Sequence, residues 1–214
     1  MQFNNKQKII KNLSDAKKIA PINNTNYNSQ NLLNTGIKYA KGGSFTESGF
    51  FIRSSINKNP HQSIAHYNLA KLFLQKNNLK CAISTLENAL MLSPKNIEIL
   101  LCLAQTLETY GNINIAREYY QKICKINSRI YEPFLGLARI YGKLKRWDES
   151  VNALRKAKRI APKEKHVFFC GGLIFIEKGE IDTALIYFIR ANKLDPDDKL
   201  IIEYLTKFKK IKYK

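Results

Sequence analysis

Cysteine and histidine are the side chains in this sequence best suited to metal binding or nucleophilic catalysis, and their spacing predicts neither. The four cysteines are far apart, with no Cys-x-x-Cys pair, so the pattern of a zinc site or a disulfide framework is missing. They are Cys81, Cys102, Cys124 and Cys170. His61, His66 and His166 have no ligand set or partnered nucleophile around them. We therefore expect buried thiols in a reducing compartment, no metal site and no cofactor.

Two glycine pairs, Gly42-Gly43 and Gly171-Gly172, could in principle cradle a phosphate. A phosphate loop also needs a preceding strand and a following Gly-Lys-Ser/Thr, and neither pair has them. The sequence therefore predicts a protein that is not an enzyme and has no catalytic residue.

The prolines define a repeat that must position any functional surface. Pro60 and Pro94, and again Pro162 and Pro196, are 34 residues apart, and the one missing step falls on Ser128. This period divides the chain into the blocks 29–62, 63–96, 97–130, 131–164 and 165–198. A fixed period of this length is typical of arrays in which each unit buries its apolar face against its neighbours.

Small and large residues alternate at fixed positions of these blocks. Position 8 is always small: Gly36, Ala70, Ala104, Ala138 and Gly172. Position 24 is always large: Ile52, Leu86, Tyr120, Leu154 and Phe188. Apolar residues recur at three- and four-residue spacing, which predicts two helices of about fourteen residues in each block. Small residues let the two helices approach closely, and Gly111 and Gly179 are suited to ending a first helix.

Position 20 is also small: Ser48, Ala82, Ala116, Ser150 and Ala184. With this period, small residues at positions 8 and 20, and proline at position 32, the sequence resembles the tetratricopeptide repeat (TPR). The resemblance implies an all-α fold, a right-handed α-solenoid of antiparallel helix pairs with about five repeats and a C-terminal capping helix. It covers 63–198 and, as a divergent repeat, 29–62. Residues 1–28 are expected to be an N-terminal extension, helical or disordered, and 199–214 a capping helix with a basic tail. The family's tryptophan at position 4 is replaced by His66, Leu100, Phe134 and Phe168.

The family geometry also implies which side chains line a concave groove, because the first helix of every pair faces it. The expected partner-binding residues are Tyr67, Lys71, Leu74, Leu101, Gln105, Leu135, Arg139, Phe169, Leu173 and Ile176. An exposed apolar stripe of this kind favours an amphipathic helix or an extended peptide as the ligand. Lys71 and Arg139 would pair with its carboxylates. An open alternative is that residues 1–28 or neighbouring second helices cover part of the groove.

The family's carboxylate clamp, which grips the acidic C-terminal tails of chaperones, is not expected here. Its lysine, asparagine and arginine positions are occupied by Tyr67, Lys71, Cys102, Glu132 and Gly136. The resemblance thus implies a non-enzymatic scaffold or assembly factor with protein partners of another kind.

Charge suggests an alternative function. The chain has 36 Lys and Arg against 17 Asp and Glu, a formal net charge of +19, so an RNA-associated helical-repeat protein with a basic surface is the second hypothesis. The candidate residues are Lys143, Lys145, Arg146, Arg155, Lys156, Lys158, Arg159 and the lysines of the C-terminal tail. An excess of Lys, Ile and Asn favours compositional bias as the source of the charge.

The sequence contains no run of eighteen apolar residues and no apolar core of a secretory signal near its start. We therefore expect no transmembrane segment and a cytoplasmic location, or the soluble compartment of an organelle.

Overall fold

A computed structural model of the protein describes residues 28–212, and all regular secondary structure in this range is helical. Its eleven helices are α1 (Ser29–Lys41), α2 (Phe45–Lys58), α3 (Ser63–Gln75), α4 (Leu79–Leu92), α5 (Ile97–Tyr110), α6 (Ile113–Ile126), α7 (Glu132–Lys143), α8 (Trp147–Ile160), α9 (Lys165–Lys178), α10 (Ile181–Leu194) and α11 (Lys199–Lys212). Each of the five sequence blocks contains two of these helices. The predicted all-α fold class is confirmed.

The chain divides at Pro94 into two compact units. The described part of the N-terminal unit contains α1 to α4, and that of the C-terminal unit contains α5 to α11. Within each unit, the two helices of a block pack mainly against each other. Of the predicted N-terminal extension, residues 1–27 lie outside the described residues. Asn28 caps α1, because its Oδ1 accepts a hydrogen bond from the backbone N–H of Asn31 at 2.8 Å.

The small residues of the repeat lie where the paired helices touch. A Cβ atom on Gly172 of α9 would lie 2.5 Å from the ring of Phe188 of α10, so no larger residue fits there without a shift. The alanines at positions 8 and 20 of the second, third and fourth repeats are fully buried: Ala70, Ala82, Ala104, Ala116 and Ala138. Large side chains fill the space beside these contacts, as the alternation of residue sizes predicts.

The turn within each helix pair contains one residue in the left-handed conformation. These residues recur every 34 positions, with φ between 54° and 99°: Gly43, Asn77, Gly111, Lys145 and Gly179. Glycine adopts this conformation at little cost, whereas a side chain with a Cβ is strained in it. The sequence correctly indicated Gly111 and Gly179 as helix ends, but the chain makes the same turn with Asn77 and Lys145.

Helix α11 covers the end of the C-terminal unit. Ile201 and Leu205 are buried, and the ring centroid of Tyr204 lies 5.3 Å from that of Phe169 and 5.5 Å from that of Phe188. Aromatic packing therefore holds the last helix against α9 and α10, as expected for a capping helix.

Candidate functional site

The N-terminal unit has a pocket between α1 and α3, with a volume of about 500 Å³. We call it the α1–α3 pocket. Its lining residues are Ile37, Ala40, Lys41, Ile52, Asn68, Lys71, Leu72, Leu74 and Gln75. Five of these are apolar, two are lysines and two are carboxamides, and none is acidic. A mostly apolar concavity with a few polar groups is the usual composition of a ligand-binding pocket.

The position of Lys71 is restrained by its neighbour Tyr67. The Lys71 Nζ lies over the Tyr67 ring, 5.5 Å from its centroid, in a cation–π contact. Tyr67 is only 8% exposed, so its ring supports Lys71 from within the core. Lys71 itself is exposed and Leu74, one turn further along α3, is half-buried. The pocket therefore combines an apolar wall with a positioned ammonium group.

In the C-terminal unit, the first helices α5, α7 and α9 pack side by side. At the centre of this face the buried carboxylate of Glu108 accepts two hydrogen bonds from Arg139, at 3.0 Å from Nε and 2.8 Å from Nη2. The hydroxyl of Tyr120 donates a further bond to Glu108 Oε2 at 2.9 Å. Lys143 Nζ lies 3.5 Å from the same carboxylate. These four side chains form an ionic network that links α5 to α7.

The network holds Glu108 in its ionised form. Burial alone would raise the pKa of this carboxyl, but the hydrogen bond and charge of Arg139, the Tyr120 hydroxyl and the Lys143 charge together lower it below its ordinary value. Burial and the neighbouring Glu108 charge raise the pKa of Tyr120. The Arg139 guanidinium is thus engaged by a carboxylate of its own chain.

This arrangement corrects several expectations for the C-terminal unit. Arg139 was expected to pair with a partner's carboxylate, yet Glu108 already binds it in a two-point contact. Leu135 was expected to be exposed but is only 2% exposed, because α5 and α9 pack on both sides of α7. Phe169 is half-buried in the aromatic group formed with α10 and α11. Leu135 is therefore not an open groove contact, and Arg139 and Phe169 are both engaged by residues of their own chain.

The remaining expected groove residues retain accessible surface. Leu101, Leu173 and Ile176 are half-buried, and Gln105 is exposed. In the N-terminal unit, Tyr67 is a second residue whose expected exposure is wrong. Lys71 and Leu74 lie together in the α1–α3 pocket. The structure thus places two of the ten expected residues in a formed pocket.

Sequence reasoning missed the α1 side of that pocket. Ile37, Ala40 and Lys41 occupy positions 9, 12 and 13 of the block 29–62. The same positions in the next block are Lys71, Leu74 and Gln75, which also line the pocket. Applying the groove positions to the divergent first repeat would have found all three residues.

The described cysteines are poorly suited to act as nucleophiles or metal ligands. Burial raises the pKa of the Cys124 thiol to about 11, and burial also raises that of Cys170 despite the nearby Arg139 charge. Cys81 is exposed, contrary to the expectation that all four thiols are buried. Between residues 28 and 212, no group of three or more His, Cys, Asp or Glu side chains is arranged to hold a metal ion.

Two of the cations proposed for RNA binding have carboxylates as neighbours. Lys143 lies beside Glu108, and Arg146 forms an ion pair with Glu149 on the following turn. The tail lysines beyond 208 fall outside the side chains that the structure describes. None of the helices from α1 to α11 is long and apolar enough to cross a membrane.

Three segments of the chain match a known protein-family model. The tetratricopeptide repeat model matches residues 64–96, 131–164 and 172–198. These segments lie in the second, fourth and fifth blocks. They include nearly all of α3 with α4, the whole of α7 and α8, and the second half of α9 with α10.

Three similar proteins illustrate how far this chain lies in sequence from its relatives. Anaphase-promoting complex subunit 3 of Schizosaccharomyces pombe is 24% identical over 160 residues, which are 75% of this chain but only 24% of that protein. Among solved structures, YrrB, described as a TPR protein with an unusual peptide-binding site, aligns with a TM-score of 0.65 at 17% identity, covering 88% of this chain and 96% of that one. TTC0263, a thermophilic TPR protein of Thermus thermophilus, aligns with a TM-score of 0.70 at 17% identity, covering 84% and 98%. At these identities the structural matches establish the fold.

Proposed function

Since this chain is a tetratricopeptide-repeat protein, we propose that it is a non-enzymatic scaffold that binds a peptide segment or amphipathic helix of a partner protein. The α1–α3 pocket is the observation that carries the proposal. An assembly factor is one form that such a scaffold takes. The relatives offer related examples: one is by name a subunit of a complex, and one solved structure is described as having a peptide-binding site.

The size and lining of the pocket favour a bulky apolar side chain as the anchor. A volume of about 500 Å³ accommodates a leucine or phenylalanine together with adjoining peptide backbone. Ile37, Leu72 and Leu74 supply the apolar wall, and burying an aliphatic or aromatic side chain there contributes about 1.5–3 kcal/mol.

The charge of the pocket favours an acidic residue beside that anchor. Lys41 and Lys71 lie on its two sides and no lining residue is acidic. A carboxylate one or two positions from the anchor would therefore meet a complementary field. The carboxamides of Asn68 and Gln75 are suited to bonding with the peptide backbone. The proposed ligand is a segment that combines a large apolar residue with a neighbouring Asp or Glu.

The C-terminal unit offers further contact area. Leu101, Leu173 and Ile176 are half-buried on the face formed by α5, α7 and α9, where the Glu108–Arg139 network is already satisfied internally. We propose that these apolar residues bind partner surface, with Gln105 as a polar contact. Lys71 remains as the cation that pairs with a partner's carboxylate.

Selection of peptides on the intact protein tests the proposal. A phage-displayed library of random peptides would be selected on the wild-type chain, and fluorescence anisotropy would give the Kd of the enriched peptides. Leu74→Asp places a charge in the apolar wall, and Lys71→Glu reverses the positioned cation. We expect each variant to weaken binding at least about tenfold, a loss of about 1.4 kcal/mol.

Met91→Asp is the matched control for Leu74→Asp. Met91 is 72% exposed on α4 and does not line the pocket, so the same change in charge at this position is expected to leave the Kd unchanged. Circular dichroism checks that all variants keep their helices. Enriched peptides that bind Leu74→Asp and Lys71→Glu as tightly as the wild type would contradict the proposed site.

A further inference from the structure

A second cleft lies in the C-terminal unit, between the second helices α8 and α10 and beside the start of α9. It has a volume of about 670 Å³, and we call it the basic cleft. Its lining residues are Asn152, Arg155, Lys156, Lys158, Arg159, Pro162, Phe168 and Arg190. It shares no residue with the α1–α3 pocket or with the expected groove.

Five cations line this cleft and no carboxylate does. The α8 sequence from Ser150 to Ile160 contains no acidic residue. Arg155 donates a hydrogen bond to the neutral amide of Asn152 at 2.9 Å. Within residues 28–208, none of the five cations forms an ion pair with a carboxylate of the chain. Like charges gathered around one depression repel each other, and an anionic ligand would relieve that repulsion.

Three of the five cations lie over aromatic rings, Lys156 over that of Phe134 at 5.7 Å. Arg190 lies over the ring of Phe168 at 5.8 Å, and Lys158 lies over the ring of Tyr187 at 5.6 Å. Phe168 is buried and Tyr187 is half-buried, so each ring leaves little area open beside the cation that lies over it. Recognition of single-stranded RNA depends on stacking bases against exposed aromatic faces. The small exposed area of these rings and the cations over them therefore favour an acidic peptide over RNA.

An apolar flank adjoins the cations. A smaller hollow of about 210 Å³ shares Lys158, Phe168 and Arg190 with the basic cleft and adds Tyr187 and Ile186. Ile186 is 67% exposed on α10. A ligand that satisfies both parts of the surface carries several carboxylates and one apolar side chain near them.

We propose that the basic cleft is a second docking site, which binds an acidic segment of a partner protein. Asp and Glu side chains of the segment bind Arg155, Arg159 and the cations over the rings. A leucine or similar residue of the same segment packs on Ile186. This site is independent of the proposed function of the α1–α3 pocket.

The test uses a short fluorescein-labelled peptide of glutamate and serine with one central leucine, titrated with the intact protein by fluorescence anisotropy. We expect Arg155→Glu combined with Arg159→Glu to weaken binding at least about tenfold. Lys80→Glu combined with Lys122→Glu is the matched control, because both lysines lie elsewhere on the surface and the net charge changes equally. The control pair is expected to change the Kd less than about twofold.

A double-mutant cycle tests the apolar flank. Ile186→Ser is expected to weaken binding of the leucine peptide about threefold or more, and to have no further effect when the leucine of the peptide is replaced by alanine. Leu74→Asp is expected to leave this binding unchanged, which separates the two sites. If charge reversal unfolds the chain, Arg155→Gln with Arg159→Gln replaces it and the same loss is expected.

Three results would overturn the proposal. The first is no binding of the glutamate peptide at low salt. The second is an equal loss with the control pair, which would show diffuse attraction to net charge. The third is an oligouridylate of matched charge that binds more tightly than the peptide and displaces it, which would assign the cleft to nucleic acid.

Discussion

Gly136 of α7 lies directly against the ring of Tyr120 of α6, and a Cβ atom on Gly136 would stand 2.4 Å from Tyr120 Cζ. The contact joins one repeat to the next within the C-terminal unit. It also positions the Tyr120 hydroxyl, which donates to Glu108 at 2.9 Å. The absence of a side chain at residue 136 is therefore a condition for the ionic network between α5 and α7.

Gly136→Ala is expected to destabilise the protein. Overpacking against a buried ring costs about 1–3 kcal/mol, which exceeds the gain of up to about 1 kcal/mol from replacing glycine by alanine within a helix. Urea unfolding followed by circular dichroism measures the difference. Gly49→Ala is the control, because a Cβ there would make only ordinary contacts at 3.8 Å with Arg53 and Leu72. The control is expected to be neutral or more stable, and a destabilisation equal to that of Gly136→Ala would refute the explanation.

Removal of the Glu108 charge is expected to destabilise the protein in a pH-dependent way. The pKa of Glu108 is lower in the folded protein than its unfolded value of 4.5, so its stabilisation is complete above that value and is lost as the pH falls through the folded pKa. Glu108→Gln should therefore be less stable than the wild type by about 2 kcal/mol near neutral pH, since Arg139 loses its counter-charge. The difference in unfolding free energy between the wild type and Glu108→Gln should become smaller below about pH 4.5.

Unfolding free energies measured from about pH 3 to pH 7 in wild type and variant test this expectation. Glu118→Gln changes an exposed glutamate of α6 and serves as the control. If the difference in unfolding free energy between wild type and Glu108→Gln stays constant across the whole pH range, the ionised carboxylate is not the source of the stability.

Lys145→Gly is expected to stabilise the protein by up to about 1 kcal/mol. Lys145 has φ of 56°, a left-handed conformation that strains a side-chain-bearing residue and suits glycine, although glycine also increases the entropy of the unfolded chain. Gly111→Lys makes the opposite change at the equivalent turn, where φ is 99°, and should destabilise by about 1–2 kcal/mol. Thermal unfolding midpoints of both variants test the pair. If the midpoints of both variants shift in the same direction, the left-handed backbone conformation does not explain their stability.

Two serines at position 20 of their repeats are expected to respond in opposite ways to alanine. Ser150 Oγ donates to the carbonyl of Ala138 at 2.6 Å, whereas the buried Ser48 Oγ has no hydrogen-bond partner among the described residues. Ser150→Ala removes a bond and should cost about 1 kcal/mol, while Ser48→Ala removes an unsatisfied buried group and should be neutral or stabilising. Denaturant unfolding measures the stability of both variants. A larger loss of unfolding free energy for Ser48→Ala than for Ser150→Ala would contradict this prediction.

The sequence determined the repeat and the fold class by itself. The 34-residue spacing of Pro60, Pro94, Pro162 and Pro196 and the small residues at position 8 are local signals. The prolines mark the end of each unit. The small residues reflect a contact within one helix pair, such as Gly172 against Phe188, whose partners have a fixed separation in the chain. Such patterns are visible in the sequence because the same contact between paired helices recurs in every repeat.

Only the tertiary structure decided which surfaces are open. Three features depend on how helices of different repeats pack together. They are the ion pair of Arg139 with Glu108, the burial of Tyr67 and Leu135, and the pocket between α1 and α3. Such contacts do not recur at each period, since the residue types at the groove positions differ from one repeat to the next. Burial and ion pairing depend on the three-dimensional neighbourhood of a side chain, and the spacing of residue types along the chain leaves that neighbourhood undetermined.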